Sequence, residues 1–302
     1  MRICSFLGVV TMATALFSCS NDTEKEWPGS PACENIKIKM TASLAGNGYG
    51  YDRAMTDYRL YYALYSQKNN NRLFLDSCSV TLDGLANKVP LNFSLPEDGF
   101  YNMVIWVHEN KIECPFRFSD LDSIHVDYNK DRQPVAYTGR MLNVSPAALQ
   151  DTDLMLHNPF ASLTVRSSSE DVRAALDAGY NLDSVRTSIQ VSQVGTCYNA
   201  LLGKIVNVNK VVWQESAPQA VDKDSTMVLY QSNLLASDKN RSDIDVKVSY
   251  DRNETETVEK RIGDVSFLKG NETTVTGCFL GYPIEFDVTV SDWSVHDNNV
   301  NM

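Results

Sequence analysis

The sequence is short of positive charge. It holds 27 lysines and arginines against 38 aspartates and glutamates, which gives a formal net charge of −11 at pH 7. Such an acidic chain argues against binding to nucleic acid, and against electrostatic docking on anionic lipid. Attachment to a membrane would therefore need something other than a basic patch.

Metal-binding and redox motifs are also missing. The seven cysteines are widely spaced without a Cys-x-x-Cys pair, and the four histidines lie far apart. Structural zinc and a dithiol redox motif are therefore not expected. A disulfide remains open in an oxidising compartment, and we expect most of the cysteines to be buried small apolar residues. The densest acidic cluster, Asp120, Asp122 and Asp127, lacks the spacing of a calcium loop and predicts a solvated turn.

Catalytic motifs are absent as well. No Gly-x-Ser-x-Gly, phosphate-binding loop, Gly-x-Gly-x-x-Gly or His-Glu-x-x-His occurs in the chain. The many carboxylates leave a glycosidase pair open, but nothing marks one, so we expect neither an enzyme nor a cofactor. The aromatic candidates for a carbohydrate platform are Tyr49, Tyr51, Trp106 and Trp213. Trp106 lies in an apolar stretch and is expected in the core.

One long apolar run is present, at the start of the chain. It covers residues 3–17, follows Arg2 and leads into Leu16-Phe17-Ser18-Cys19. A positive start, a short apolar stretch and a small residue describe a secretory signal rather than a spanning helix. The last four residues resemble the bacterial lipobox, which implies cleavage after residue 18 and a diacylglycerol on the Cys19 thiol. The alternative is a plain secretory signal with an incidental cysteine.

Residues 19–32 predict a flexible tether. They are polar and acidic, then rich in proline and glycine, and show no apolar period. Acidic residues soon after a lipidated cysteine resemble the export signal of Bacteroidetes surface lipoproteins. The expected location is therefore the outer membrane, with the chain lipid-anchored and facing outward, or the fimbrium itself. The alternative is an anchor in the periplasmic leaflet.

The rest of the chain alternates mostly with period two. Ile36, Ile38, Met40, Ala42 and Leu44 alternate with polar residues, which predicts a half-buried first strand with these side chains on one face. Further strands are predicted at residues 58–65, 89–95, 100–108, 124–128, 160–166, 184–194, 227–235, 244–250, 255–262, 272–280 and 284–290.

Two stretches break this pattern. Residues 129–150 predict a polar loop with one helical turn near Pro146. Residues 169–179 predict a helix, with a serine cap, acids in the first turn and a closing glycine. The whole predicts a mainly β protein with two β-sandwich domains, residues 33–157 and 158–302, and a short helical insertion in the second.

Several segments together resemble fimbrillin-like lipoproteins of Bacteroidetes, the subunits of type V pili. They are the lipobox, Leu-Tyr-Tyr-Ala-Leu-Tyr at residues 60–65, the apolar strand at 100–107, Asn-Pro-Phe-Ala-Ser-Leu-Thr-Val at 158–165 and the closing segment at 286–293. The resemblance covers residues 33–294. It implies two transthyretin-like Greek-key sandwiches and a place among fimbrillin-related proteins that have no described function.

The resemblance also implies a mechanism of assembly. A trypsin-like protease cuts after an arginine in the loop that follows the first strand, which matches Arg53 before Ala54. The first strand then leaves, and a strand of another subunit fills the groove by main-chain pairing. Asp52 departs from the threonine that usually precedes this arginine, which puts processing in doubt. The alternative is that Arg53 is an ordinary exposed loop residue.

The functional hypothesis is a fimbrial or adhesion structural subunit, or an anchor, at the cell surface. Its expected partners are other fimbrial subunits by strand exchange, the outer membrane through the lipid, and a host protein or glycan as receptor. The alternative is a carbohydrate-binding surface lipoprotein of a glycan-uptake system, and an unrecognised hydrolase is a third hypothesis.

Three short motifs predict O-glycosylation. Ser123, Ser184 and Ser225 each follow an aspartate and precede an apolar residue or threonine. This pattern resembles the general O-glycosylation motif of the same bacteria. Ser225 has the most loop-like surroundings, so we rank it first.

Overall fold

The structure is a computed structural model. It describes residues 35–44, 56–67, 70–82, 88–96, 99–130, 133–215, 226–237, 240–251, 255–281 and 286–292. Cys19, Arg53, Ala54 and Ser225 lie outside these ranges, as do Tyr49 and Tyr51.

The described residues form strands almost throughout, so the predicted mainly β fold is confirmed. The strands are β1 (Asn35–Leu44), β2 (Thr56–Ser66), β3 (Arg72–Leu82), β4 (Lys88–Pro96), β5 (Tyr101–Glu109), β6 (Phe116–Arg117), β7 (Ile124–Val126), β8 (Ala136–Val144), β9 (Asp153–Leu156), β10 (Phe160–Ser167), β11 (Asn181–Asn199), β12 (Lys204–Glu215), β13 (Met227–Leu235), β14 (Asn240–Asp251), β15 (Thr255–Phe267), β16 (Asn271–Gly277) and β17 (Phe286–Asp292). The helices are α1 (Pro146–Leu149) and α2 (Ser169–Asp177).

The strands form three sheets. The first half of the chain contributes a three-stranded sheet, in the order β4-β1-β9, and a four-stranded sheet, in the order β3-β2-β5-β8. The third sheet has ten strands and follows the order β15-β14-β11-β13-β10-β16-β17, with β12 and β7 also paired to β11, and β6 paired to β7.

The four-stranded sheet is the middle layer between two apolar cores. Alternate residues of β2 face opposite ways, as in any strand. Leu60 and Tyr62 enter the first core, which also holds residues of β1, β4 and β9. Ala63 and Tyr65 enter the second core, which is built mainly from the ten-stranded sheet. Both faces of this sheet are therefore buried, which explains why all nine residues of β5 are buried.

Strands β6 and β7 connect the two halves of the chain. β7 pairs with β11 through His125↔Cys197 and Ile124↔Tyr198, although β7 lies within the predicted first domain. Trp106 of β5 packs against Phe116 and Tyr198, at ring-centroid distances of 5.4 and 6.0 Å. The predicted ranges 33–157 and 158–302 thus share a sheet and a core, and the division between them stays a prediction.

Part of the predicted loop at residues 129–150 is wrong, because β8 occupies residues 136–144. β8 contains Gly139, where an added Cβ would lie 2.6 Å from Leu156 Cδ2 and 3.1 Å from the Met155 carbonyl oxygen. A side chain at this position would collide with β9, so the strand requires a glycine here. The predicted helical turn near Pro146 is present as α1.

Helix α2 confirms the predicted helix, with its cap one residue earlier. Ser168 is the N-cap, and its hydroxyl accepts a hydrogen bond from the Asp171 amide at 3.2 Å. Gly179 follows the helix with φ +79°, the left-handed conformation that ends helices. Strands β3, β6, β9 and β12 had not been predicted, and β8 had been predicted as loop.

Candidate functional site

The first strand lies between two partners. β1 pairs antiparallel with β4, from Asn35↔Pro96 to Ser43↔Lys88. On its other edge it pairs parallel with β9, from Thr41↔Asp153 to Leu44↔Leu156. It is therefore the central strand of its sheet, with main-chain hydrogen bonds on both edges.

The side chains of β1 alternate as the sequence predicted, where the structure describes them. Met40 is 3% exposed and Ala42 is 1% exposed, whereas Thr41 between them is half-buried. Met40 and Ala42 belong to the first core, together with Val89 and Leu91 of β4. The backbones of Ile36, Ile38 and Leu44 also lie in β1, and their side chains are outside the described set.

The position of β1 defines what we call the β1 slot, the space between β4 and β9. Without β1, the facing edges of β4 and β9 would have no main-chain partner, and the core residues Val89, Leu91 and Leu156 would lose their cover. Such a slot can be filled by another extended strand. Residues 45–55, which include Arg53 and Ala54, connect β1 to β2.

A disulfide constrains the same region. Cys78, in β3 beside the first core, is disulfide-bonded. Cys114, Cys197 and Cys278 are free. Only Cys197 is buried among the four cysteines that the structure describes, so the prediction that most cysteines are buried is wrong for these four. The remaining cysteines, Cys4, Cys19 and Cys33, all precede β1. We therefore predict that the partner of Cys78 precedes the first strand.

A second candidate site lies on the opposite face of the four-stranded sheet. A cavity of about 610 Å³, here called the Arg59 cavity, has a floor formed by Arg59, Tyr61, Leu75 and His108. Its walls are Asn110, Cys114, Phe116, Arg117 and Phe118. These floor residues face the second core rather than the β1 slot, because odd-numbered residues of β2 point away from β1.

The floor of this cavity is held in place by neighbouring strands. Arg59 Nη1 and Nη2 donate to the hydroxyls of Ser79 and Ser77 at 3.0 and 2.8 Å. The Tyr61 ring stacks with His108 at 5.7 Å and meets the edge of Phe118 at 4.8 Å.

His108 contributes no positive charge to the floor near neutral pH. Burial lowers its pKa below the ordinary value, and the charge of Arg59 lowers it further. Nδ1 lies 2.9 Å from the Glu109 carbonyl oxygen. Because that oxygen can only accept, Nδ1 carries the proton of the neutral ring.

The predicted modification sites are placed as follows. Ser123 directly precedes β7, is half-buried, and has its hydroxyl 3.4 Å from His125 Nε2 and 3.6 Å from Cys197 Sγ. The Ser184 hydroxyl donates to the Asn181 carbonyl at 2.6 Å within β11. Both glycosylation sites stay predictions.

Other predicted residues are placed away from both candidate sites. Trp106 is fully buried, as the sequence predicted, and takes no part in a carbohydrate platform. Asp120 is more than a solvated turn residue, because it accepts a hydrogen bond from the Tyr65 hydroxyl and pairs with Arg72 at 3.3 Å.

Across the described ranges, no group of three or more potential metal ligands occurs. The same ranges contain no helix long and apolar enough to cross a membrane.

Solved structures share this fold across most of the chain. A candidate adhesin from Bacteroides thetaiotaomicron matches with a TM-score of 0.52 at 12% identity, over 87% of this chain and 98% of that one. The fimbrial anchor protein Mfa2 from Porphyromonas gingivalis matches with a TM-score of 0.50 at 10% identity, over 85% and 98%. Candidate polysaccharide-binding proteins (DUF1812), also from B. thetaiotaomicron, match with a TM-score of 0.51 at 10% identity, over 84% and 98%.

These similarities confirm the predicted resemblance to Bacteroidetes fimbrial and adhesion proteins at the level of the fold. No curated protein matches the sequence. The profile of one family matches residues 29–300, which is nearly the whole chain beyond the predicted tether. The chain therefore belongs to DUF6562, a family of unknown function.

Proposed function

We propose that the protein is a fimbrial or adhesion subunit, or an anchor, held at the cell surface by lipid on Cys19. The observation that carries the proposal is the position of β1, which fills a slot between β4 and β9. A fold shared with a fimbrial anchor protein supports the same role. In this proposal β1 is a removable strand, and a strand of another subunit takes its place.

The chain connectivity supports such an exchange. β1 is joined to the following strand by residues 45–55, so after one cut behind Arg53 its main-chain pairing would still hold it to β4 and β9. A replacement strand would recover the main-chain hydrogen bonds on both edges and bury alternate side chains where Met40 and Ala42 lie.

The other end of the described chain offers a weakly packed strand. β17 lies at one end of the ten-stranded sheet and, among the described strands, pairs with β16 alone. Val288 and Val290 on it are 40% and 39% exposed. An edge strand with outward apolar side chains is suited to pair with another chain. We propose that β17 of one subunit, or a strand like it, enters the β1 slot of the next.

The test of this proposal is a controlled cut. Arg53 is replaced by the recognition sequence of a specific protease, and the purified chain is cleaved in the presence of a reductant. Molar mass by light scattering and circular dichroism are then followed together. Growth in mass with the β signal retained is the expected result, whereas loss of β signal without growth in mass would contradict strand exchange.

A matched control places the same recognition sequence within residues 216–225, between β12 and β13. A cut there separates no first strand from the chain, so we expect no growth in mass. Mass spectrometry of the native N-terminus adds a second test. A start at lipidated Cys19 indicates an uncut anchor, and a start at Ala54 indicates a processed subunit.

A further inference from the structure

We propose that the Arg59 cavity binds a carboxylate-bearing sugar, such as a hexuronate residue of a polysaccharide. The proposal does not depend on strand exchange, because the cavity and the β1 slot lie on opposite faces of the four-stranded sheet.

The first argument is charge. The chain carries a net charge of −11, yet two arginines and no acid line the described part of this cavity. Arg117 is exposed and has neither an ion pair nor a hydrogen bond through its guanidinium among the described residues. Arg59 is bonded to two serines rather than to a carboxylate. A pocket lined by uncompensated cations attracts an anion.

The second argument is hydrogen-bonding capacity. A guanidinium has five N–H donors, and the Arg59 side chain uses two of them on Ser77 and Ser79. Nη1 and Nη2 each keep one N–H that no described residue accepts, whereas the buried Nε is out of reach of a ligand. A carboxylate can accept from both remaining N–H groups of an arginine with its two oxygens. An acidic ligand would therefore use the donors of Arg59 that the two serines leave over.

The third argument is the aromatic lining, which favours a sugar over a simple anion. Tyr61, Phe116 and Phe118 give the cavity apolar surfaces beside the two arginines. A pyranose ring has apolar C–H faces and a polar rim, so an acidic sugar uses both kinds of surface. The volume of about 610 Å³ lies within the range of roughly 300–1,000 Å³ typical of small-molecule sites.

The fourth argument is rigidity. Tyr61 is stacked on His108 and held at its edge by Phe118, and Arg59 is held by hydroxyls of β3. Because these side chains are ordered before any ligand arrives, little conformational entropy is lost on binding.

The test is calorimetric titration of the chain from Cys19 onward, expressed without lipid. The probe is a trimer of galacturonic acid, and the matched control ligand is the same trimer with its carboxyls methyl-esterified. We expect the acid to bind about tenfold or more tightly than the ester, because charge-assisted hydrogen bonds are lost in the ester. Added salt should weaken binding of the acid more than binding of the ester.

Protein variants separate the site from the overall charge. Arg117→Gln should weaken binding of the acid about tenfold, and Arg59→Gln should act in the same direction. Arg173→Gln, which removes another exposed arginine, on α2, should have no effect. Circular dichroism of the half-buried Arg59→Gln variant reports its folding, and Arg117→Gln tests the site even if that variant unfolds.

Three results would overturn the proposal. They are equal binding of acid and ester, no binding of the acid at millimolar concentration, and binding of acetate as tight as binding of the acidic trimer. The last result would identify an adventitious anion site without recognition of a sugar.

Discussion

Single buried polar residues connect distant parts of the chain, and Asp171 is the clearest case. Asp171 is only 5% exposed. Its carboxylate accepts hydrogen bonds from the backbone amides of Phe279 and Leu280 at 2.7 and 2.8 Å. Lys260 lies beside it and donates to the Gly281 carbonyl at 3.0 Å. Burial lowers the pKa of Lys260, and the Asp171 charge opposes this shift. Through these hydrogen bonds, Asp171 links α2 to the turn after β16.

Replacing Asp171 should be costly. Asp171→Ala leaves two buried amides without an acceptor, so we expect the free energy of unfolding to fall by about 3 kcal/mol. The measurement is chemical denaturation followed by circular dichroism. Arg173→Ala, at an exposed position of the same helix, should cost less than about 0.5 kcal/mol. If both variants lowered the free energy of unfolding equally, the hydrogen bonds of Asp171 would not stabilise the position of the helix.

His108 predicts a dependence of stability on pH. Its pKa is lowered from 6.5, first by burial and then by Arg59, while the Glu109 carbonyl and carboxylate oppose the shift. The unfolded chain therefore binds a proton at a higher pH than the folded chain does. The stability contributed by neutral His108 is present above pH 6.5 and is lost as pH falls from there to the folded pKa.

The pH dependence can be assigned with variants. His108→Gln should flatten the slope of stability against pH below 6.5, whatever it does to stability at neutral pH. His157→Gln changes an exposed histidine and should leave the slope in place. Denaturant midpoints measured at several pH values provide the slope. An unchanged slope in His108→Gln would assign the acid sensitivity to other groups.

Sequence patterns predicted well where one rule decides the structure, and failed where tertiary contacts decide it. The alternation around Met40 and Ala42 gave the correct strand and the correct buried face. β8 was missed because the close approach of β9 at Gly139 is a tertiary contact, which no local pattern reveals. The Arg59 cavity was missed for the same reason, since its walls come from residues 110–118 and its floor from three strands. Alternation at Arg59 and Tyr61 was the available signal, and it showed only that they share a face.

At the scale of elements, β1 is closely packed but is joined to the next strand by a single connecting segment. Two strands hold its edges and one core covers its buried face, but the chain reaches the next strand only through residues 45–55. The four-stranded sheet beneath keeps its own main-chain pairing without β1. Loss of β1 would therefore expose apolar surface while leaving that sheet's hydrogen bonds intact.

The packing of β1 can be tested one side chain at a time. Met40→Ala should lower the free energy of unfolding by about 2–4 kcal/mol, because it removes a buried side chain from the first core. Thr41→Ala changes the neighbouring half-buried position and should cost less than about 1 kcal/mol. Thermal unfolding of the uncut chain gives both values. If the two variants were equally stable, β1 would not be packed against the core.

At the scale of the whole molecule, the layered arrangement separates two properties. The β1 slot lies on one side of the middle sheet, and the Arg59 cavity lies on the other side near the junction with the second half. Assembly at the slot would therefore leave the cavity free. A subunit could carry a bound glycan and remain part of a filament.

The disulfide of Cys78 adds a condition to assembly. The three other described cysteines are free, so we predict that its partner precedes β1 and that the bond connects chain segments on either side of Arg53. Among the cysteines before β1, Cys33 is the expected partner, because Cys4 belongs to the predicted signal and Cys19 to the predicted lipid anchor. A cut after Arg53 should then leave the first strand covalently attached to β3. In an oxidising compartment, strand exchange would then require reduction of this disulfide. In an uncut anchor, strand exchange would not occur at all.

This condition gives a prediction for the cut chain. Without reductant, the fragment before Ala54 should stay with the remainder on a denaturing gel, and with reductant it should separate. Growth in molar mass should likewise begin only after reduction. Cys78→Ala should remove the need for reductant, although loss of the disulfide will cost about 2–4 kcal/mol of stability. Cys114→Ala removes a free cysteine and should behave as the parent does. If the fragment of the cleaved parent protein separated without reductant, the predicted disulfide between the segments on either side of Arg53 would be absent. No covalent bond would then hold β1 in its slot after the cut.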